Sequence, residues 1–241
     1  MLTRHWLIAA VMLLTAGGAS TGKLGLGETT PDLEGLGKLA SAYEADPGNI
    51  NKGLAYAGAL ESLGQPDKAL EVQGALAAAH PENGNLQAEW GKALVKAGRG
   101  AQALGPLNAA AALLPRDASL PAAIGSALDQ TGDHARARLA YARALQIKPG
   151  DMAALNNMAM SFMLEGDPAQ AEKLLREAMK GEGRNDMRLR QNLALAVGLQ
   201  GRLDEARGIA ARDLPPEDVE ANLNWLKQML STQDTWRQLK D

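Results

Sequence analysis

Residues 118–151 read ASLPAAIGSALDQTGDHARARLAYARALQIKPGD, and this stretch decides the fold that the sequence predicts. Gly132 stands between its two halves, and Pro149 stands near the end of the second half. Glycine tolerates the positive φ of a tight turn between helices, whereas proline cannot continue a helix. The stretch therefore predicts two helices joined by a short turn.

The same pattern recurs along the chain with a period of 34 residues. The glycine between the two helices recurs as Gly64, Gly98, Gly132, Gly166 and Gly201. A small residue early in the second helix, which lets two helices approach closely, recurs as Ala69, Ala103, Ala137, Ala171 and Ala206. The helix-ending proline recurs as Pro47, Pro81, Pro115 and Pro149, with Gly183 in its place once. Residues that can cap the first helix recur as Asn49, Asn83, Asp117, Asp151 and Asp186.

This period and these columns resemble the tetratricopeptide (TPR) repeat family. Ile124-Gly125, Leu128, Ala137, Tyr141, Ala144 and Pro149 stand where that repeat has Leu-Gly, Tyr, Ala, Phe, Ala and Pro. The resemblance implies an all-α fold, a right-handed superhelix of about five helix-turn-helix repeats. We expect a leading half-repeat before the array and a capping helix after it.

The register also predicts the boundaries of the array, which occupies residues 50–220. Its five repeats are 50–83, 84–117, 118–151, 152–185 and 187–220, with Asp186 as a single insertion. Residues 31–49 form the leading half-repeat helix, and residues 216–241 form the capping helix and a polar tail. The apolar stripe that suits a cap consists of Val219, Leu223, Leu226 and Leu230.

The N-terminus has the layout of a secretory signal. Arg4 precedes nine apolar residues, Trp6 to Leu14, and small residues follow. Because a membrane-spanning helix needs about 20 apolar residues, we expect residues 1–19 to act as an export signal, with retention as a membrane anchor as the alternative. Residues 20–30 contain four glycine or serine residues and predict a flexible linker.

Composition argues against several classes of function. The 25 basic and 28 acidic residues are interspersed, so no basic surface for nucleic acid is expected. The chain has no cysteine, and its three histidines lack the spacing of metal ligands. The candidate acids for catalysis lie in separate repeats, as Glu61, Glu89, Asp129 and Glu165. We therefore predict a protein that is not an enzyme and uses no cofactor or metal.

The resemblance to TPR proteins implies that the first helix of each repeat lines a concave face that binds a protein partner. The residues predicted to lie on this face are Lys92, Lys96, Asn156, Asn157, Met160, Arg188 and Asn192. Asn157 and Asn192 share the sixth position, from which TPR proteins often present an amide to a ligand backbone, although asparagine is also common there as consensus. Met160 and Met163 are either an adaptable apolar contact or ordinary packing. The fifth position lacks the basic residue of the carboxylate clamp.

The C-terminal part carries a narrower resemblance, to the TadD family of TPR proteins from Flp/Tad pilus assembly systems. It rests on residues 198–202 (GLQGR), 213–217 (DLPPE), Ala221-Asn222 and Leu226 to Leu230. The resemblance implies an exported accessory protein of a Gram-negative-type envelope, periplasmic or membrane-associated through its N-terminus, that supports the secretin or another pilus component. Members commonly carry a lipidated cysteine after the signal, which this chain lacks. The alternative is a general periplasmic TPR adaptor or chaperone unrelated to pili.

Overall fold

The computed structural model describes the backbone of residues 33–238, and the side chains of residues 33–231 except Glu182. The predicted signal at 1–19 and the predicted linker at 20–30 lie outside these residues. Residues 33–238 contain α-helices and one 3-10 helix but no strand. The helices are α1 Leu33–Glu44, α2 Ile50–Ser62, α3 Pro66–Ala79, α4 Gly84–Lys96, α5 Gly100–Leu113, α6 Ser119–Gln130, α7 His134–Ile147, α8 Met152–Glu165, α9 Pro168–Ala178, α10 Met187–Leu199, α11 Leu203–Ala210 and α12 Pro216–Gln238, with the 3-10 helix at Glu182–Asn185.

The described chain divides into two compact units between Asp133 and His134. The N-terminal unit contains α1 to α6, and the C-terminal unit contains α7 to α12. The division falls inside residues 118–151, so the two helices of the predicted third repeat belong to different units. Within each unit, consecutive helices pack against one another as helix pairs.

The turns between paired helices all contain a glycine with positive φ. The φ values are 71° at Gly64, 74° at Gly98, 83° at Gly132, 95° at Gly166 and 82° at Gly201. A side chain at these positions would be strained, because L-residues rarely adopt this region. The glycine column of the sequence therefore fixes where each first helix ends.

The first helices begin at side-chain caps. Asn49 Oδ1 accepts a hydrogen bond from the Lys52 amide at 3.2 Å. Asn83, Asp151 and Asp186 each accept from two amides of the first turn that follows. At α6 the N-cap residue is Ala118, which makes no side-chain cap, so the prediction of Asp117 as N-cap was wrong by one residue; Asp117 accepts from the Ser119 amide at 2.8 Å. Each cap satisfies amides that have no partner within their own helix.

Small side chains allow the helices of a pair to approach. The repeated alanines at 69, 103, 137, 171 and 206 are all no more than 1% exposed. In the third predicted repeat, Ala137 lies on the same buried side of α7 as Tyr141 and Ala144. Interiors packed this closely leave no room for added methylenes.

Contacts between successive repeats differ in chemistry between the two units. At the twenty-first residue of each repeat the chain has Leu70, Leu104, Arg138, Glu172 and Arg207. In the N-terminal unit both leucines pack in an apolar cluster with side chains of the following first helix. In the C-terminal unit each charged residue pairs across the junction instead. Arg138 contacts Glu165 at 2.6 Å, Glu172 contacts Arg202, and Arg207 contacts Glu220.

The C-terminal helix α12 covers the end of the last repeat, which confirms the predicted cap. Val219, Leu223 and Leu226 are buried in the apolar core of the C-terminal unit. A Cβ at Gly198 of α10 would lie 2.5 Å from Leu226 Cδ1, so a larger residue there would force the Leu226 side chain to shift. The helix continues to Gln238, beyond the predicted end of the apolar stripe. No helix among residues 33–238 is both long and apolar enough to cross a membrane.

We predict that Ala137→Leu lowers the free energy of unfolding by about 1–3 kcal/mol, because the larger side chain has no space in the core. Ala135→Leu is the matched control, since Ala135 is exposed on the same helix. Chemical denaturation of both variants measures the effect. Equal stability of the two variants would contradict the helix register.

Candidate protein-binding face

Helices α8 and α10 contact each other in the C-terminal unit and carry five of the predicted face residues. Asn156, Asn157 and Met160 lie on α8, and Arg188 and Asn192 lie on α10. The caps Asp151 and Asp186 set the start of the two helices. We call this pair of helices the α8–α10 face.

Asn192 is less accessible than the sequence suggested. It is 7% exposed, and its Nδ2 donates a hydrogen bond to Asn156 Oδ1 at 2.6 Å. Packing of α10 against α8 turns its amide towards Asn156, and a role of Asn192 in binding a partner stays a prediction. Asn156 and Asn157 are half-buried and border solvent.

The two methionines of α8 have different surroundings. Met163 is 2% exposed and belongs to the core of the C-terminal unit. Met160 is half-buried and packs against the edge of that core, so part of its side chain reaches the surface. The sequence left open whether these methionines are ordinary packing or an adaptable apolar contact. Met163 is part of the packing, whereas Met160 is packed on one side and open to solvent on the other.

Arg188 is exposed at the start of α10. Its Nη2 donates to Asp186 Oδ2 at 3.2 Å, while Asp186 Oδ1 caps the helix. Burial raises the pKa of Asp186, but the hydrogen bonds from Arg188 and from two backbone amides outweigh it and hold the pKa below its ordinary value. The carboxylate therefore stays charged and keeps Arg188 at this position.

The two predicted lysines lie on α4, in the N-terminal unit. Lys92 is partly exposed, with its Nζ 3.6 Å from Glu89 Oε1, and Lys96 is exposed. Exposed pairs of this kind contribute little to stability, about 0–1 kcal/mol. The seven residues predicted for one face thus form two groups, one in each unit.

Asp213, which follows α11, is bound to α10 by several hydrogen bonds. Arg190 donates to it through Nε at 2.7 Å and Nη2 at 2.5 Å, and Gln191 donates through Nε2 at 2.9 Å. The hydrogen bond from Arg190 is the main reason that the pKa of Asp213 lies below its ordinary value. The sequence pointed to residues 213–217 only through a family resemblance and gave no sign that Asp213 binds α10.

A polar network joins α9, α10 and α11. Glu172 accepts hydrogen bonds from Arg176 at 2.7 Å, from Gln200 at 2.8 Å and from Arg202. Arg202 and Arg176 also pair with Glu205. Burial raises the pKa of Glu172, but the three donors together outweigh it and lower the pKa to about 2. The sequence signal for this network was the charged residue at the twenty-first position of the last three repeats, and not a motif.

The C-terminal unit also has an open groove lined by α10, α11 and α12. Its walls are apolar except for Gln191 and Asn222, and they include Leu195, Leu223 and Trp225. Among the described residues, no group of three acidic or histidine side chains could hold a metal ion.

Comparison with known proteins agrees with the repeat pattern. A family model described as a tetratricopeptide repeat matches residues 122–151. A tetratricopeptide repeat protein from Parabacteroides merdae superposes with a TM-score of 0.69 at 15% identity, over 96% of this chain and 87% of the other. The chain has a tetratricopeptide-repeat fold.

Two further tetratricopeptide structures are similar to this chain. TTC0263 from Thermus thermophilus gives a TM-score of 0.57 at 20% identity, over 74% of this chain and 98% of the other. YrrB, described as a TPR protein with an unusual peptide-binding site, gives 0.53 at 15% identity, over 73% and 93%. A search among curated proteins finds no match.

We predict that Glu172→Gln destabilises the C-terminal unit by about 1–3 kcal/mol at neutral pH, because it weakens hydrogen bonds to a charged acceptor. The pKa of Glu172 is depressed from 4.5 to about 2, so its contribution is complete above pH 4.5 and is lost as the pH falls through 2. Thermal unfolding across this range measures the difference between wild type and variant.

The control for this experiment is Glu177→Gln on the same helix, since Glu177 pairs with Lys180 at 2.8 Å in an exposed position. That substitution should change stability by less than about 0.5 kcal/mol at any pH. A difference in stability between wild type and Glu172→Gln that does not shrink as the pH falls would contradict the role of the charged Glu172.

Proposed function

We propose that this protein is a TPR scaffold that binds a protein partner through the α8–α10 face. The observation that carries the proposal is the Asn156–Asn192 hydrogen bond. This bond uses the Asn192 Nδ2 donor and the Asn156 Oδ1 acceptor. Within the described residues, the remaining donor, Asn156 Nδ2, and the remaining acceptor, Asn192 Oδ1, make no hydrogen bond. Asn156 is half-buried, so its Nδ2 can donate to the C=O of a peptide backbone, whereas the buried Asn192 holds the Asn156 amide in place.

The residues around this amide pair suit the rest of a peptide. Met160 offers a flexible, partly open apolar surface to a side chain of the partner. Arg188, whose exposed guanidinium is paired with Asp186, supplies further N–H donors near the same end of the face. YrrB, a protein with the same type of fold, is described as having a peptide-binding site. A partner segment with an accessible backbone and an apolar side chain fits this arrangement.

For the cellular role, we propose an accessory factor of Flp/Tad pilus assembly in the envelope, with the secretin or another pilus component as the partner. The support is the resemblance of residues 192–230 to the TadD family and the export signal expected at residues 1–19. Residues 1–19 would either be cleaved or keep the protein at a membrane. The alternative, a general periplasmic adaptor or chaperone, would be favoured if the neighbouring genes encoded neither a secretin nor a pilus ATPase.

We predict that Asn157→Ala combined with Met160→Ala weakens partner binding by tenfold or more, as expected when central interface side chains are truncated, about 1.4 kcal/mol or above. Both residues border solvent, so the fold should survive. Affinity for the purified periplasmic part of the secretin measures the effect. Asn224→Ala, at an exposed position of α12, is the matched control and should bind normally.

Asn192→Ala tests the hydrogen bond to Asn156 itself. It removes the hydrogen bond to Asn156 and should cost about 1 kcal/mol of stability as well as affinity. Unchanged affinity in Asn157→Ala/Met160→Ala and in Asn192→Ala would reject the α8–α10 face as the binding surface.

Deleting the gene should abolish surface pili, because the proposed scaffold is needed to build the secretion machine. Electron microscopy of the deletion strain measures piliation. The wild-type gene should restore pili on complementation, and the Asn157→Ala/Met160→Ala variant should restore fewer. Normal piliation in the deletion strain would rule out the pilus role while leaving the general adaptor role open.

A further inference from the structure

The last predicted repeat differs from the others at one core position. The twenty-fourth residue of the first four repeats is Gln73, Leu107, Tyr141 and Leu175. Leu107, Tyr141 and Leu175 are no more than 1% exposed, so a large side chain fills the core at this position. In the last repeat the residue is Ala210. The last repeat therefore lacks a side chain of about Leu size that three other repeats have.

The open groove of the C-terminal unit lies at this position, and we call it the α12 groove. Ala210 lines it together with Ala194 and Ala206, and side chains of α12 form its other wall. Alanine has the shortest side chain with a Cβ, so the three alanines do not fill the space that the missing side chain leaves. Such a space costs stability, because the atoms around it lose packing contacts.

Three residues that line the groove carry polar atoms without a partner. Gln191 Nε2 donates to Asp213 at 2.9 Å, which leaves Gln191 Oε1 as an acceptor. In the part of the chain that the structure describes, this Oε1, the Asn222 amide and the Trp225 indole N–H make no hydrogen bond. Apolar walls with a few unpaired polar groups are the usual composition of a ligand site.

The groove adjoins the α8–α10 face along α10. Gln191 lines the groove, and the next residue, Asn192, holds the amide of Asn156. Packed helices lie about 8–10 Å apart, and an extended residue spans about 3.3 Å. A peptide bound at Asn156 therefore needs about three further residues to reach the groove.

We propose that the α12 groove is the side-chain pocket of the peptide site on the α8–α10 face, and that it takes an aliphatic side chain of the protein partner. The inference rests on the proposed function. The size of the missing Leu favours a side chain from Val to Leu, and the absence of charged residues from the lining disfavours a charged one. The unpaired amides of Gln191 and Asn222 suit the peptide backbone on either side of it.

The test begins with random 12-residue peptides displayed on phage and selected on the full chain. We expect the selected peptides to share one aliphatic residue, and its replacement by Ala should weaken binding about tenfold. Ala210→Leu should weaken binding of the parent peptide by a similar factor, because the new side chain occupies the groove. The two changes together should cost no more than either alone, since both remove the same contact.

Stability separates a binding pocket from a simple packing defect. Ala210→Leu should keep or raise the melting temperature, because it fills an apolar space with the residue found in other repeats. Ala211→Leu, at the exposed next position, is the matched control and should leave binding unchanged.

A second variant tests the groove without filling it. Trp225→Phe keeps an aromatic ring but removes the indole N–H, and it should weaken binding about threefold or more. Its control is Trp90→Phe, which changes a half-buried tryptophan of the N-terminal unit and should bind normally.

Three results would overturn the proposal. Peptides that bind Ala210→Leu and Trp225→Phe normally but lose affinity for Asn157→Ala/Met160→Ala would reject the groove and leave the α8–α10 face standing. If selection gave no peptide sensitive to any of these variants, the groove and the proposed function would both be rejected. A dimer of the chain alone that Ala210→Leu disrupts in sedimentation would assign the groove to a second copy.

Discussion

The fold depends on a side chain of one carbon at a buried position early in the second helix of each predicted repeat. Ala69, Ala103, Ala137, Ala171 and Ala206 occupy this position and are essentially inaccessible to solvent. In the last repeat the approach is close enough that a Cβ at Gly198 would lie 3.5 Å from Ala206 Cβ. Only 3% of the residues are aromatic, so the core is filled by many close contacts between small side chains. Correct alignment of neighbouring helices therefore matters more to packing than the volume of any one side chain.

The contacts between repeats show that one fold can be joined by two kinds of chemistry. In the N-terminal unit, Leu70 and Leu104 make apolar contacts, which need no particular direction. In the C-terminal unit, Arg138, Glu172 and Arg207 each pair with a side chain of opposite charge. Ionic pairs must recover the cost of removing charges from water, so they specify the neighbour more than they stabilise it. In the C-terminal unit, Glu172 and Asp213 both have a lowered pKa, so both contribute to stability that is lost on acidification.

Much of the fold could be predicted from the sequence because its signals are local. Turn glycines, caps and the alanine column each act within a single helix pair, and the period repeats them. The buried amide of Asn192 could not be foreseen, because it depends on how α10 packs against α8. The division between Asp133 and His134 was also missed, since the best-matching repeat spans it. Arg190, Gln191 and Asp213 meet only through tertiary structure, so spacing gave no sign of their contact.

A scaffold of this kind works by presenting side chains that packing has fixed in place. Asn156 is held by Asn192, so a partner would meet an amide that is already oriented, while Arg188 lies exposed beside the capping carboxylate of Asp186. The central claim is that the α8–α10 face meets a protein in the cell. Photo-crosslinking from residue 157, in place of Asn157, tests it most directly. We expect one dominant protein adduct there and none from exposed position 169 on α9; adducts from 169 with none from 157 would contradict the claim.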